Sequence, residues 1–132
     1  MKLNTMKYFF TFLFFLASVS LSHGQAVLEQ VKEAIAAGDA VILSEHLNNP
    51  VSIKIKKKEE IYSVEQAQVA LKQFFTEHPP LSFKEEHRGE GVNGHFIIGT
   101  YQCSHKKTFK IYFLVKNKKG TRKVFQFFIK EE

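Results

Sequence analysis

The 132-residue sequence contains no tryptophan, three prolines and one cysteine. A single cysteine, Cys103, excludes an internal disulfide, so the fold has to be held together by its apolar core. We expect Cys103 to be a small buried strand residue; a reactive thiol or an intermolecular bridge is the alternative. A membrane-spanning helix requires about 20 consecutive apolar residues, and the sequence has no uncharged apolar run of that length. Its longest such block has 14 residues, from Tyr8 to Leu21.

The N-terminal residues have the pattern of an export signal. A positively charged start precedes the apolar block of residues 8–21, and small residues precede a cut between Gly24 and Gln25. We therefore predict a signal peptide over residues 1–24 and one domain over residues 25–132. The domain is expected in the periplasm or outside the cell. No stop-transfer pattern follows the block, so we expect no stable membrane anchor after cleavage.

The charge of the chain is mildly basic. The formal net charge is +6, and loss of residues 1–24 lowers it to +4, because two lysines leave and all 13 acidic residues follow the cut. An exported domain with this small excess is not expected to have a nucleic-acid partner.

Lysines gather close to predicted strand ends and turns. The groups are Lys54, Lys56, Lys57 and Lys58; Lys106, Lys107 and Lys110; and Lys116, Lys118 and Lys119 with Arg122 and Lys123. Lysines at such positions ordinarily prevent edge-to-edge pairing of sheets. The functional alternative is a basic rim that attracts an anionic surface, a glycan or an acidic protein.

The first part of the domain has the pattern of two helices. Apolar residues recur at helical spacing at Val27, Leu28, Val31, Ala34 and Ile35. Gly38 is typical of a helix end and Asp39 of an N-cap, which predicts a second helix over residues 40–47.

A strand and a third helix follow. Residues 51–55 alternate between apolar and polar side chains, which predicts one early half-buried strand. The acidic residues Glu59 and Glu60 are assigned to a charged loop. Ser63, with Gln66 three positions later, has the capping-box pattern of a helix start. The proline pair after His78 ends this helix.

The last 50 residues change to the period of strands. Four strands are predicted, over residues 81–90, 95–104, 108–117 and 122–130. Short turns, with glycine at Gly94 and Gly120, imply antiparallel neighbours and hence a meander. Helices followed by antiparallel strands indicate an α+β fold. Large apolar residues occupy both faces of the last two strands, so the sheet is expected to be covered or curled on both sides.

This order of elements resembles the NTF2-like cone fold, in which a curved sheet wraps around helices. Short segments also resemble the exported DUF4783 family of Bacteroidetes-type bacteria: residues 47–53 (LNNPVSI), 62–63 (YS) with 66–67 (QA), 71–75 (LKQFF), 79–83 (PPLSF), 98–101 (IGTY) and 111–114 (IYFL). The resemblance implies three N-terminal helices with one early strand, then a four-stranded antiparallel meander forming a curved sheet. These motifs are structural, so the resemblance implies a fold and no chemistry.

NTF2-like proteins often hold a pocket between the concave sheet and the helices. We therefore predict a non-catalytic domain that binds a small apolar ligand or a protein partner, in the cone or on the outer sheet face. The candidate ligand-binding residues are Tyr62, Phe83, Tyr101, Phe113 and Phe127. The same aromatic residues also suit a filled core, and an aromatic sheet face allows a homodimeric structural module.

A catalytic alternative depends on one carboxylate. Enzymes of this fold, such as ketosteroid isomerases and scytalone dehydratases, place a base in the pocket. Glu85 shares a predicted strand face with apolar residues and with His87, two positions later. The pair would suit an isomerase or a dehydratase, whereas the alternative is a solvated edge strand.

The domain contains five histidines. They are His46, His78, His87, His95 and His105. None has the clustered spacing of a zinc site. We therefore predict no metal and no cofactor.

Overall fold

The structure, a computed structural model, describes residues 23–91 and 93–132. Its elements are α1 (His23–Ala37), α2 (Ala40–Glu45), β1 (Leu47–Ile55), β2 (Lys58–Tyr62), α3 (Val64–Glu77), β3 (Pro80–Gly91), β4 (Gly94–Cys103), a 3-10 turn (Ser104–Lys106), β5 (Thr108–Lys118) and β6 (Thr121–Glu131). Apart from its last two residues, the predicted signal peptide lies outside the described residues and stays a prediction. Within them, no helix is long and apolar enough to cross a membrane.

The helix ends follow the sequence signals. Gly38 adopts a φ of +65° at the end of α1, a left-handed conformation that glycine tolerates. The Asp39 carboxylate accepts a hydrogen bond from the Ile42 N–H at 3.0 Å and caps α2. The predicted capping box of Ser63 and Gln66 is present at the start of α3.

The second helix is shorter than predicted. It ends at Glu45, because the next residues already belong to the sheet. The His46 carbonyl accepts a hydrogen bond from the Val124 N–H at 2.8 Å, and Leu47 is paired with Val124 in β6. Pairing with a strand distant in sequence therefore overrides the local helical pattern.

The sheet has six strands in the order β2-β1-β6-β5-β4-β3. The four predicted strands, β3, β4, β5 and β6, pair antiparallel in sequence order as expected, but they are part of the six-stranded sheet and do not form the predicted four-stranded sheet. The prediction of one early strand is wrong, because Lys58–Tyr62 forms β2 where a charged loop was expected. Among the described strands β2 pairs only with β1, and its charged side chains are accommodated because an edge strand has little to bury. β1 joins the meander by parallel pairing with β6.

Bulges bend the sheet. In β3 the register shifts between Glu85 and His87, and between β5 and β6 it shifts at Leu114 and Val115. An extra residue in one strand bends it and increases its twist. The sheet is therefore curved, and its inner face packs against the helices.

The core lies between this inner face and the three helices. Its members include Leu28, Val31, Ile35, Leu43, Leu71, Phe74, Ile97, Tyr101, Phe109, Ile111, Phe113 and Phe127, all at most 4% exposed. Cys103 is buried in β4, as predicted, and burial raises the pKa of its thiol, which stays protonated.

Candidate functional site

The interior of the cone is filled by side chains. Three of the five predicted ligand-binding residues, Tyr101, Phe113 and Phe127, have none of their surface exposed. The rings of Phe113 and Phe127 stack with their centroids 6.3 Å apart. The Tyr101 hydroxyl donates a hydrogen bond to the His78 carbonyl and so joins β4 to the end of α3. Among the described residues no buried side-chain nitrogen or oxygen lacks a hydrogen-bond partner, so no polar group there awaits a ligand.

The other two predicted residues lie at the edges of the core, away from each other. Phe83 is half-buried on β3, with its ring over Gly99 of β4. Tyr62 lines a cavity of about 270 Å³ between β1, β2 and α3, together with Lys58 and His78. The five predicted residues are therefore not brought into one pocket, and ligand binding by any of them stays a prediction.

The predicted acid–base pair is separated by the bulge in β3. Glu85 is paired with Gly99 of β4. His87, two positions later, is paired with Ile98, the residue adjacent to Gly99, so Glu86 has no paired residue of its own among the described residues of β4. Because the bulge adds a residue, Glu85 points toward α1 and the exposed His87 lies on the opposite, outer face. The prediction that Glu85 and His87 share a face is wrong.

Glu85 belongs to a group of four charged side chains that joins β3 to α1. Arg88 Nη2 lies 2.7 Å from Glu85 Oε1 and 2.7 Å from Glu29 Oε1. Lys32 Nζ lies 3.1 Å from Glu85 Oε1. Hydrogen bonding from Arg88, supported by Lys32, lowers the pKa of both Glu29 and Glu85. Both carboxylates are therefore ionised at neutral pH and neutralised by adjacent cations.

The outer face of the sheet carries aromatic side chains between lysines. Along β5 and β6 the directly opposite pairs are Lys110 with Lys130, Tyr112 with Phe128, Leu114 with Gln126, and Lys116 with Lys123. The ring centroids of Tyr112 and Phe128 are 5.6 Å apart, and that of Phe96 lies 6.0 Å from Tyr112. Burial raises the pKa of the Tyr112 phenol, which stays neutral. An apolar strip thus crosses three strands, with one lysine pair of β5 and β6 on each side of it along the strands.

One end of this strip opens into a cavity of about 750 Å³, which we call the outer-face groove. It is lined by Lys54, Lys56, Lys57, Lys110, Tyr112, Phe128, Ile129, Lys130 and Glu131. The sequence signals for it were the apolar residues on the second face of β5 and β6 and the lysine groups. No sequence signal indicates the pairing that places Lys54 of β1 beside Phe128 of β6.

Among the described residues no three histidine, cysteine or acidic side chains come together in a way that would hold a metal ion. His95 Nδ1 lies 3.4 Å from Glu90 Oε1 across the β3–β4 hairpin.

Comparison with known proteins identifies the family. The model of DUF4783, a domain of unknown function, matches residues 28–130. The chain belongs to the DUF4783 family. No curated protein sequence is similar enough to this chain to count as a relative.

Solved structures agree with the fold of this DUF4783 protein. A crystal structure of a DUF4783 family protein from Bacteroides uniformis is 22% identical, with a TM-score of 0.74 over 79% of this chain and 95% of that chain. One from Bacteroides fragilis is 23% identical, with a TM-score of 0.73 over 78% and 96%. An NTF2-like protein of unknown function from Cytophaga hutchinsonii is 10% identical, with a TM-score of 0.62 over 86% and 94%. The chain therefore has the NTF2-like α+β fold with a curved sheet.

The group of four charged side chains that joins β3 to α1 is expected to make the stability of this DUF4783 protein depend on pH. We expect Glu85→Gln to lower the free energy of unfolding by about 0.5–1 kcal/mol at pH 7, the range for partly exposed ion pairs. A carboxylate with a lowered pKa in the folded state stabilises it above the ordinary glutamate pKa of about 4.3, and this contribution is lost as the pH falls through the folded-state pKa. The variant should therefore lose less stability than wild type between about pH 5 and 3.

Urea unfolding followed by circular dichroism over that pH range measures both effects. Glu33→Gln is the matched control, because Glu33 is exposed on α1 and forms no ion pair with the described residues. Equal pH profiles for Glu85→Gln and wild type would show that Arg88 does not lower the pKa of Glu85.

Proposed function

We propose that this DUF4783 protein is a non-catalytic binding domain whose ligand occupies the outer-face groove. The observation that carries the proposal is the open aromatic floor of Tyr112 and Phe128 in a cavity of about 750 Å³. Small-ligand sites are concave and mostly apolar, with volumes of roughly 300–1,000 Å³ and a few placed polar groups. The groove has this size and an aromatic floor surrounded by lysines, whereas the cone is occupied by Tyr101, Phe113 and Phe127.

The charged environment of Glu85 speaks against the isomerase or dehydratase alternative. A general base works best with a pKa near the working pH, which burial away from cations provides. Glu85 instead has cations on two sides, Arg88 and Lys32, and a lowered pKa. His87 is exposed on the outer face, opposite to the face that Glu85 occupies.

Charge speaks against a homodimer formed through the outer faces. In a two-fold dimer the same patch contributes to both sides of the interface. Face-to-face contact would bring Lys116, Lys123 and Lys130 against a second set of lysines. Like charges across an interface are unfavourable, so a partner of another kind fits this face better.

Binding of a neutral apolar fluorophore, N-phenyl-1-naphthylamine, tests the proposal. We expect wild type to bind the probe and Phe128→Ser to weaken binding about tenfold or more, because contact with a large apolar side chain is worth about 1.5–3 kcal/mol. Leu81→Ser is the matched control, since Leu81 is 72% exposed on β3 at the opposite edge of the sheet. Probe affinity is measured by fluorescence titration.

Circular dichroism of each variant establishes that the fold is retained. An affinity that Phe128→Ser leaves unchanged, or a wild type that does not bind the probe, would contradict the proposal. Binding lost on Tyr62→Ser instead would favour the smaller cavity between β1, β2 and α3.

A further inference from the structure

We infer that the ligand of the outer-face groove is an anionic amphiphile. Its carboxylate or phosphate head group would bind Lys56, Lys57 and Lys130, and its apolar body would lie on Tyr112 and Phe128. This inference rests on the proposed function and adds the chemical class of the ligand.

The first support is the charge around the groove. Lys110 is neutralised, because it forms ion pairs with Glu86 and with Glu132 at 3.7 Å. Glu131, the one acidic residue that lines the groove, pairs with Lys107 at 3.7 Å. By contrast, no carboxylate among the described residues forms an ion pair with the remaining lysines of the groove, which are Lys54, Lys56, Lys57 and Lys130. Glu59 is paired directly opposite Lys54, so the local positive potential that favours an anion above the apolar floor comes from Lys56, Lys57 and Lys130.

The second support is the backbone of the β1–β2 turn. Lys56 and Lys57 form a two-residue turn between the paired residues Ile55 and Lys58. Lys56 has a φ of +60°, a left-handed conformation in which glycine is favoured and a Cβ atom is strained. Its N–H donates to the Ile129 carbonyl at 2.8 Å, which fixes the turn against β6. Glycine at position 56 would relieve the backbone strain. Because the chain has lysine there instead, an ammonium group is placed at the groove.

The depth of the aromatic floor favours a small amphiphile over a bilayer surface. Tyr112 and Phe128 are half-buried in the sheet, whereas Lys56, Lys57 and Lys130 beside them are exposed. A surface that inserts into a bilayer needs apolar side chains that protrude. The large apolar residues that do protrude are elsewhere, on α2, α3, β2 and the start of β3: Val41, Ile42, Val69, Ile61 and Leu81. None of them lines the groove, so a molecule that enters the groove is the better fit.

Calorimetric titration of the purified protein with decanoate, decyl phosphate and 1-decanol tests the inference. The three probes share one chain and differ in the head group. We expect both anions to bind about tenfold more tightly than decanol at low salt, an advantage that shrinks at about 0.5 M salt through screening. The carboxylate and phosphate arms show which head group is preferred.

The lysine contribution is tested with a triple variant, Lys56→Gln, Lys57→Gln and Lys130→Gln. It should remove the advantage of the anions over decanol. The matched control, Lys72→Gln, Lys118→Gln and Lys119→Gln, changes the net charge equally with exposed lysines distant from the groove. It should keep the advantage.

The other possible outcomes contradict either this inference alone or the proposed function as well. Equal affinities for decanoate and decanol, both lost in Phe128→Ser, would overturn this inference and leave the proposed function standing. No binding of any probe would overturn both. Lysine-dependent binding to anionic lipid vesicles without decanoate binding would assign the face to a membrane surface. A dimer that Phe128→Ser dissociates would assign it to a second copy, and either result would overturn the inference.

Discussion

Phe113→Ala is expected to lower the free energy of unfolding by about 3–5 kcal/mol, the range for truncating a buried phenylalanine. Phe113 has none of its surface exposed and stacks on Phe127 at the centre of the inner sheet face. Removing the ring leaves a cavity that the surrounding strands cannot close. Since a small domain has about 5–15 kcal/mol of stability in total, the loss would be a large share of it. Guanidinium unfolding at 25 °C measures it.

The control is Leu114→Ala, one residue along the same strand. Leu114 is half-buried on the outer face, so its truncation is expected to lower the free energy of unfolding by about 1 kcal/mol. A loss for Phe113→Ala no greater than for Leu114→Ala would contradict the filled cone. It would show that Phe113 lines a space open to water, and the cone would again be the better ligand site.

The meander was predictable because its signals are local. Alternation along β5 and β6 and the turn at Gly120 lie within a few residues of one another. β2 was missed for the opposite reason. An edge strand paired on one side buries little, so residues such as Ile61, which is 74% exposed, leave no alternating pattern. The parallel pairing of β1 with β6 joins residues more than 70 positions apart, and no local pattern encodes it.

The candidate site depended on features that sequence reveals less well. The inward direction of Tyr101, Phe113 and Phe127 follows from alternation, but alternation does not tell a filled core from an empty pocket. The bulge after Glu85 inserts one residue without a residue type that marks it, and it moves His87 to the other face. The outer-face groove requires the register between β1 and β6, so its lysines appeared in the sequence only as a group near strand ends.

Gly99→Ala is the second substitution expected to be strongly destabilising. A methyl group at this position would lie 2.5 Å from Phe83 Cζ and 2.7 Å from the Lys84 carbonyl oxygen. The ring can shift, but the carbonyl belongs to the paired backbone of β3 and cannot move without disturbing the sheet. Overpacking of this kind costs about 1–3 kcal/mol. The free energy of unfolding in guanidinium measures the loss.

Two further variants separate the contact with the Phe83 ring from the contact with the Lys84 carbonyl. Gly91→Ala, also in a strand, is the control, because the nearest atom to its methyl group would be 3.8 Å away. Truncation of Phe83 in a double-mutant cycle with Gly99→Ala should recover part of the loss, since the contact with the Lys84 carbonyl remains. No loss for Gly99→Ala would show that the Phe83 ring does not cover Gly99. Phe83 would then be available to a ligand, as first predicted. The expected loss of stability would instead show that the Phe83 ring fills the space above Gly99 in the sheet.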